Sequence, residues 1–163
     1  MSKKSFLGNM ILIFGIMLVT ALTGCDLSDD EPPESIEGPL SGGGKQSNPF
    51  QLINGVWADG SIASSESAAV WYTFEAVQGT TYRVWENSGY QGDNTKTGFI
   101  YVTASYADGT PIFTKSEYGL WNSPQSFTAN TSGTVFIRIT PVGTSSGKTG
   151  TYGIVYSNGS TRP

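Results

Sequence analysis

The sequence has no histidine and a single cysteine in 163 residues. Without an imidazole, Ser-His-Asp and Cys-His nucleophile systems, histidine general bases and the usual zinc sites all fall away. Charge is scarce as well: 13% of residues are Asp, Glu, Lys or Arg, against about a quarter in an ordinary soluble domain. Leucine, a strong helix former, almost vanishes after residue 46, where only Leu52 and Leu120 remain. No 11-residue window of that region keeps a helical period. What survives of side-chain catalysis is carboxylates, hydroxyls and lysines, and the reading is of a protein that is not an enzyme and needs no cofactor.

Aromatic residues are plentiful where leucine is not. All eight Tyr, all four Trp and six of the eight Phe follow residue 46, too many for a chain that stays disordered. Alternating apolar runs bounded by Gly, Asn, Asp and Ser clusters predict strands over 50–53, 56–62, 69–77, 81–87, 98–106, 111–115, 125–129, 134–140 and 151–156. The first two are short enough to be one bent strand, which gives a single antiparallel β-sandwich of about eight strands over 47–157. A short tail, 158–163, follows. Period-two spacing assigns the core to Val70, Tyr72, Phe74 and Ala76, Tyr82 and Val84, Ile100, Val102 and Ala104, Val135, Ile137 and Ile139, and Tyr152, Ile154 and Tyr156. Trp71, Trp85, Phe99, Tyr101 and Phe136 then point the other way, as a flat binding face or a second apolar layer.

The first 24 residues read as a targeting segment. Lys3 and Lys4 precede an apolar run from Met10 to Leu22 that Gly15 and Thr20 interrupt, short of the ~20 residues that span a bilayer. Leu22-Thr23-Gly24-Cys25 resembles the lipobox of bacterial lipoproteins, in which the Cys is acylated and becomes the first residue after cleavage. An uncleaved anchor helix or an ordinary signal peptide are the alternatives. Several acyl chains would tether the protein stably to a membrane of the cell envelope, in a leaflet the sequence leaves open. Losing Lys3 and Lys4 with the leader takes the formal charge from −4 to −6, which speaks against nucleic acid as a partner. Residues 25–46 carry acidic residues, Pro and a Gly triplet and read as a linker. Its Asp29-Asp30-Glu31 run is a solvated spacer or, less simply, a cation contact.

Six segments carry a family resemblance: Gly60-Ser61-Ile62, Ala69-Val70-Trp71-Tyr72-Thr73-Phe74, Gly79-Thr80-Thr81-Tyr82, Ala107-Asp108-Gly109-Thr110, Ser132-Gly133-Thr134-Val135-Phe136-Ile137-Arg138-Ile139 and Thr149-Gly150-Thr151-Tyr152-Gly153-Ile154. In that order they resemble the bacterial pre-peptidase C-terminal domain. The resemblance implies a jelly-roll-like sandwich similar to collagen- and carbohydrate-binding modules. Val70 stands where such domains commonly have Asp before Trp-Tyr, and acidic residues near Phe99-Ile100 are missing, so the resemblance leaves calcium binding of the collagen-binding type open.

If every connection reverses strand direction, the loops over 63–68, 88–97, 116–124 and 141–149 gather at one end of the sandwich, and ligand binding is expected there. Tyr90, Asp93, Asn94, Tyr118 and Trp121 are the candidate binding residues, aromatic platforms with short polar groups suited to a glycan or a protein ligand. Trp121 and Tyr118 could instead plug the sandwich end. Glu66, Asp93 and Glu117 share that end as weak metal candidates, without an Asp-x-Asp-x-Asp-Gly pattern to support calcium. Lys45, Lys96, Lys115 and Lys148 read as solubilising charges. The functional expectation is a lipid-anchored binding module, with a structural or envelope-assembly lipoprotein as the alternative and a calcium-dependent binding module as a third, weaker reading.

Overall fold

The computed structural model describes residues 44–63, 69–114, 119–142 and 149–163. Nine strands form two sheets: β1 (Phe50–Gln51), β2 (Ala58–Ile62), β3 (Val70–Ala76), β4 (Thr81–Asn87), β5 (Ile100–Tyr106), β6 (Pro111–Phe113), β7 (Gln125–Thr128), β8 (Gly133–Pro141) and β9 (Gly150–Ser157). The five-stranded sheet runs β1-β3-β8-β5-β6 and the four-stranded sheet β2-β9-β4-β7. The protein is therefore an all-β sandwich. The first two predicted strands are separate and lie in different sheets: β1 pairs parallel with β3, while β2 pairs antiparallel with β9. Every other pairing is antiparallel. The single proline within the short strands, Pro111, opens the edge strand β6, where a missing N–H costs no ladder bond.

The core is what the alternation predicts. Tyr72, Phe74, Val84, Val102, Val135, Ile137, Ile139, Tyr152 and Ile154 are at most 1% exposed, and Val70 packs against them half-buried. Phe74 stacks on Tyr156 with centroids 3.9 Å apart and touches Tyr82 and Phe127, an aromatic seam joining the sheets. Tyr72 and Tyr152 meet across the sandwich, their hydroxyls 2.9 Å apart. Gly60 makes room for them: a Cβ there would lie 2.6 Å from the Tyr152 hydroxyl and 2.7 Å from that of Tyr72. Burial, with the nearby Asp59 charge adding to it, pushes the Tyr72 phenol up to about 12 despite the hydrogen bond shared with Tyr152. Tyr152 is displaced upward as well, chiefly by burial.

The outward faces differ. On the five-stranded sheet Trp71 and Phe136 are half-buried and meet edge-to-face at 6.2 Å, with the Arg138 guanidinium 5.7 Å over Trp71. On the four-stranded sheet, Trp85 and Val155 face outward yet are 2% and 0% exposed. Trp85 is therefore covered and not part of an open surface. Residues 158–163 are bound to this same side of the molecule: the Arg83 guanidinium donates to the Gly159 carbonyl at 2.8 Å, and Asn158 and Asn54 exchange two hydrogen bonds of 3.1 Å.

Candidate functional site

With antiparallel neighbours, the connections β3–β4, β5–β6 and β7–β8 fall at one end and the longer ones at the other. The 88–99 connection is built from its root. The Ser88 hydroxyl donates to Glu86 Oε1 at 3.2 Å and accepts from the N–H groups of Tyr90 and Gln91. Further on, Thr97 and Gly98 both donate to the Thr151 carbonyl, tying the loop to the start of β9. Between these ties, Asp93 accepts from the Thr95 N–H at 2.9 Å and the Thr95 hydroxyl at 2.6 Å, a turn closed by its own side chain. Asn94 takes the left-handed backbone this turn requires, φ 68°.

The loop lays its middle over the outer face of the four-stranded sheet and there encloses a cleft of about 190 Å³ lined by Trp57, Asp59, Asn87, Asp93, Thr95, Lys96 and Trp121. Strand register builds its floor. Gly153 of β9 pairs with Asp59 of β2 on one side and Asn87 of β4 on the other, so three outward positions lie abreast. The middle one carries no side chain. A Cβ on Gly153 would stand 3.2 Å from Trp57, 3.3 Å from Asp59 Oδ1 and 3.4 Å from the Asn87 Cβ. Asp59 Oδ1 thus overhangs bare backbone, while its Oδ2 takes the Lys96 ammonium at 2.5 Å.

Two indoles wall the cleft. Trp57 precedes β2 and Trp121 precedes β7, at opposite edges of the sheet, yet their rings approach to 5.7 Å. The 158–163 segment grips both: Trp57 Nε1 donates to a Pro163 oxygen at 3.1 Å, and Arg162 donates to the Trp121 carbonyl at 3.0 Å with its guanidinium 3.7 Å from the Trp121 ring centroid. For Asp93, burial alone would raise the carboxyl. The hydrogen bonds from Thr95 and from the Asn87 side chain outweigh it and hold the group below the ordinary carboxylate value.

Of the residues singled out in the sequence, Trp121 and Asp93 line the cleft. Trp121 is half-buried, packed on Trp57 rather than plugging the core. Tyr90 is 52% exposed and rests edge-to-face on Phe99, and Asn94 is exposed; neither lines the cleft. Tyr118, Glu66, Glu117, Cys25 and Asp29-Asp30-Glu31 lie outside the described residues. Among the described residues no three acidic or sulfur groups converge as a metal cluster. Lys96 corrects its sequence reading: it is an ion-pair partner inside the cleft, not a solubilising charge. Sequence reading missed Trp57, Asp59, Asn87 and Thr95. Residues 143–148, GTSSGK, satisfy the spacings Gly-x-Ser-x-Gly and Ser-x-x-Lys. They also lie outside the described residues, and the first spacing acts as a nucleophile elbow on a strand-to-helix turn of an α/β sheet, with a histidine partner.

No known protein family matches this chain by sequence, and no curated protein does. Solved structures are similar to it, two of them as follows. The pre-peptidase C-terminal domain of a collagenase from Bacillus anthracis aligns at 14% identity and a TM-score of 0.46, over 79% of this chain and 100% of that one. PliG of Aeromonas hydrophila, a periplasmic inhibitor of g-type lysozyme, aligns at 12% identity and a TM-score of 0.41, over 63% of this chain and 85% of that one.

Proposed function

We propose that this protein is a non-catalytic, lipid-anchored binding module of the bacterial cell envelope, tethered through Cys25, and that the Trp57–Trp121 cleft receives one ring of a carbohydrate. The observation that carries the reading is the bare Gly153 floor, with Asp59, Lys96 and Asn87 set around it between two indoles. A sugar ring has an apolar C–H face and a rim of hydroxyls, each both donor and acceptor. Such a ligand calls for an aromatic surface beside a carboxylate, an amide and an ammonium. The volume, about 190 Å³, falls below the roughly 300–1,000 Å³ of pockets for drug-sized ligands, so one ring enters and the rest of the chain stays outside. Binding suits the carboxylates better than proton transfer does. Hydrogen bonds hold the Asp93 carboxyl below the ordinary carboxylate value, and Asp59 Oδ2 is taken up by Lys96, so both carboxylates stand as binding groups.

The test is a titration of the full chain with cellotetraose and chitotetraose, followed through the indole N–H signals of Trp57 and Trp121. A single ring at about −0.3 kcal/mol per heavy atom corresponds to millimolar affinity. Saturable shifts at both indoles, lost in Asp59→Ala, support the reading. Signals unmoved by either sugar, or binding unchanged in Asp59→Ala, overturn it.

A further inference from the structure

The same cleft is gripped from outside by the chain's own segment 158–163. Arg162 is exposed and forms no ion pair among the described residues, yet its guanidinium sits over the Trp121 ring, 3.7 Å from the centroid, and is fixed there by a 3.0 Å hydrogen bond to the Trp121 carbonyl. One face of Trp121 tilts toward Trp57. Arg162 takes up ring surface that a stacking ligand would need. One residue further on, Pro163 holds the indole N–H of the opposite wall, so a single short segment pins both aromatic walls at once. Its root is anchored independently, by Asn158 on Asn54 and by the Arg83–Gly159 bond. The segment beyond Gly159 can therefore lift without releasing the strand β9 from which it springs.

We propose that residues 160–163 are a displaceable latch on the cleft, with Arg162 as an internal competitor for the Trp121 ring. This regulation rests on the carbohydrate reading for its biological ligand, but not for its mechanics. A ligand that needs the Trp121 face binds only the fraction of molecules whose latch is open, so its apparent affinity is the intrinsic one reduced by that fraction. A partner that captures Arg162, such as an acidic surface, would open the site. The charge and the planarity of the guanidinium both serve the stacking, so lysine is a poorer latch than arginine.

The experiment compares the full chain with Arg162→Ala and Arg162→Lys in two titrations. The first uses N-acetylargininamide and reads the Trp121 indole signal. A vacated seat should accept the free guanidinium in Arg162→Ala, with a shift at least about fivefold larger than in the wild type at equal concentration. Equal response in both proteins, or none in either, refutes the latch. The second uses cellotetraose and chitotetraose. Affinity should rise about five- to tenfold in Arg162→Ala and by less in Arg162→Lys. A fall in affinity would make Arg162 a ligand contact and overturn competition. If the first titration succeeds and no sugar binds either protein, the latch stands and the carbohydrate reading fails.

Discussion

Raising the pH should unfold this protein through one pair of side chains. Tyr72 and Tyr152 are 1% and 0% exposed, joined hydroxyl to hydroxyl at 2.9 Å. Burial, first, and the Asp59 charge move Tyr72 from 10.0 to about 12; Tyr152 moves in the same direction, also mainly through burial. In the unfolded chain both ionise near 10. Between pH 10 and 12 the unfolded state therefore holds fewer protons than the folded one, and stability falls as pH rises. Below pH 10 the contribution is fully present. Two units at about 1.4 kcal/mol each give roughly 3 kcal/mol from Tyr72 alone, most of it lost by pH 12 and the rest just above. Tyr152 adds to this, though the two share one hydrogen bond and do not simply sum. Set against a total stability of about 5–15 kcal/mol for a domain of this kind, the loss brings the denaturation midpoint down steeply in that window. Urea unfolding at pH 8, 10, 11 and 12, with tyrosinate absorbance read in parallel, measures it. Tyr72→Phe should cost about 1–3 kcal/mol at pH 8, by stranding the Tyr152 hydroxyl, and should flatten the slope above pH 10. A stability constant from pH 8 to 11.5, or a Tyr72→Phe slope equal to that of the wild type, would refute the reasoning.

Two further predictions concern the cleft and the anchor. Gly153→Ala places a methyl 3.2–3.4 Å from Trp57, Asp59 and Asn87. Crowding of a few tenths of an ångström then opposes the ~0.4–1 kcal/mol gained from a less flexible unfolded chain, so thermal stability should stay within about 1 kcal/mol of the wild type while tetrasaccharide binding drops at least about tenfold; an unchanged affinity would show that the floor is not a contact. Cys25→Ser should leave unprocessed precursor in the membrane fraction, checked by mass spectrometry of the N-terminus, and a mature protein with an unmodified Cys25 would count against the anchor.

The fold was legible because its signal is local. Alternation in Val70 to Ala76, Ile100 to Ala104 and Val135 to Ile139 states which side chains point inward, and inward residues of a sandwich need only be apolar to be correct. The separation of β1 from β2 is not local: Val56 donates to the Ile53 carbonyl across an Asn54-Gly55 turn, and there the chain leaves one sheet for the other. Nothing in the alternation marks which sheet a strand joins. The burial of Trp85 has a similar origin. Its outward direction is correct from spacing, but sheet pairing and covering segments decide whether outward means wet. The cleft was least legible of all. Asp59, Asn87 and Gly153 are far apart in sequence and become neighbours only through the β2-β9-β4 register. Lys96 reads as a solvated loop charge until that register brings Asp59 within its reach.

The placement of the cleft on a sheet face rather than at the loop tips has a physical consequence centred on Asp59. Its Oδ1 overhangs the Gly153 floor, its Oδ2 holds Lys96 and so the middle of the 88–99 loop, and its charge acts on the Tyr72 phenol beneath. The next residue, Gly60, is the one whose missing Cβ admits the Tyr72–Tyr152 pair. Two adjacent positions of one edge strand thus serve the cleft with an outward side chain and the core with an inward vacancy. A one-residue slip of β2 would exchange these roles, driving a carboxylate into the tyrosine pair and exposing a glycine to the cleft. The register of β2 on β9 is therefore fixed twice, by the packing under Gly60 and by the ion pair above Asp59. A ligand that competes for Asp59 loosens only the second of these constraints, so the loop held by Lys96 can rearrange around a bound ring while the floor stays in place.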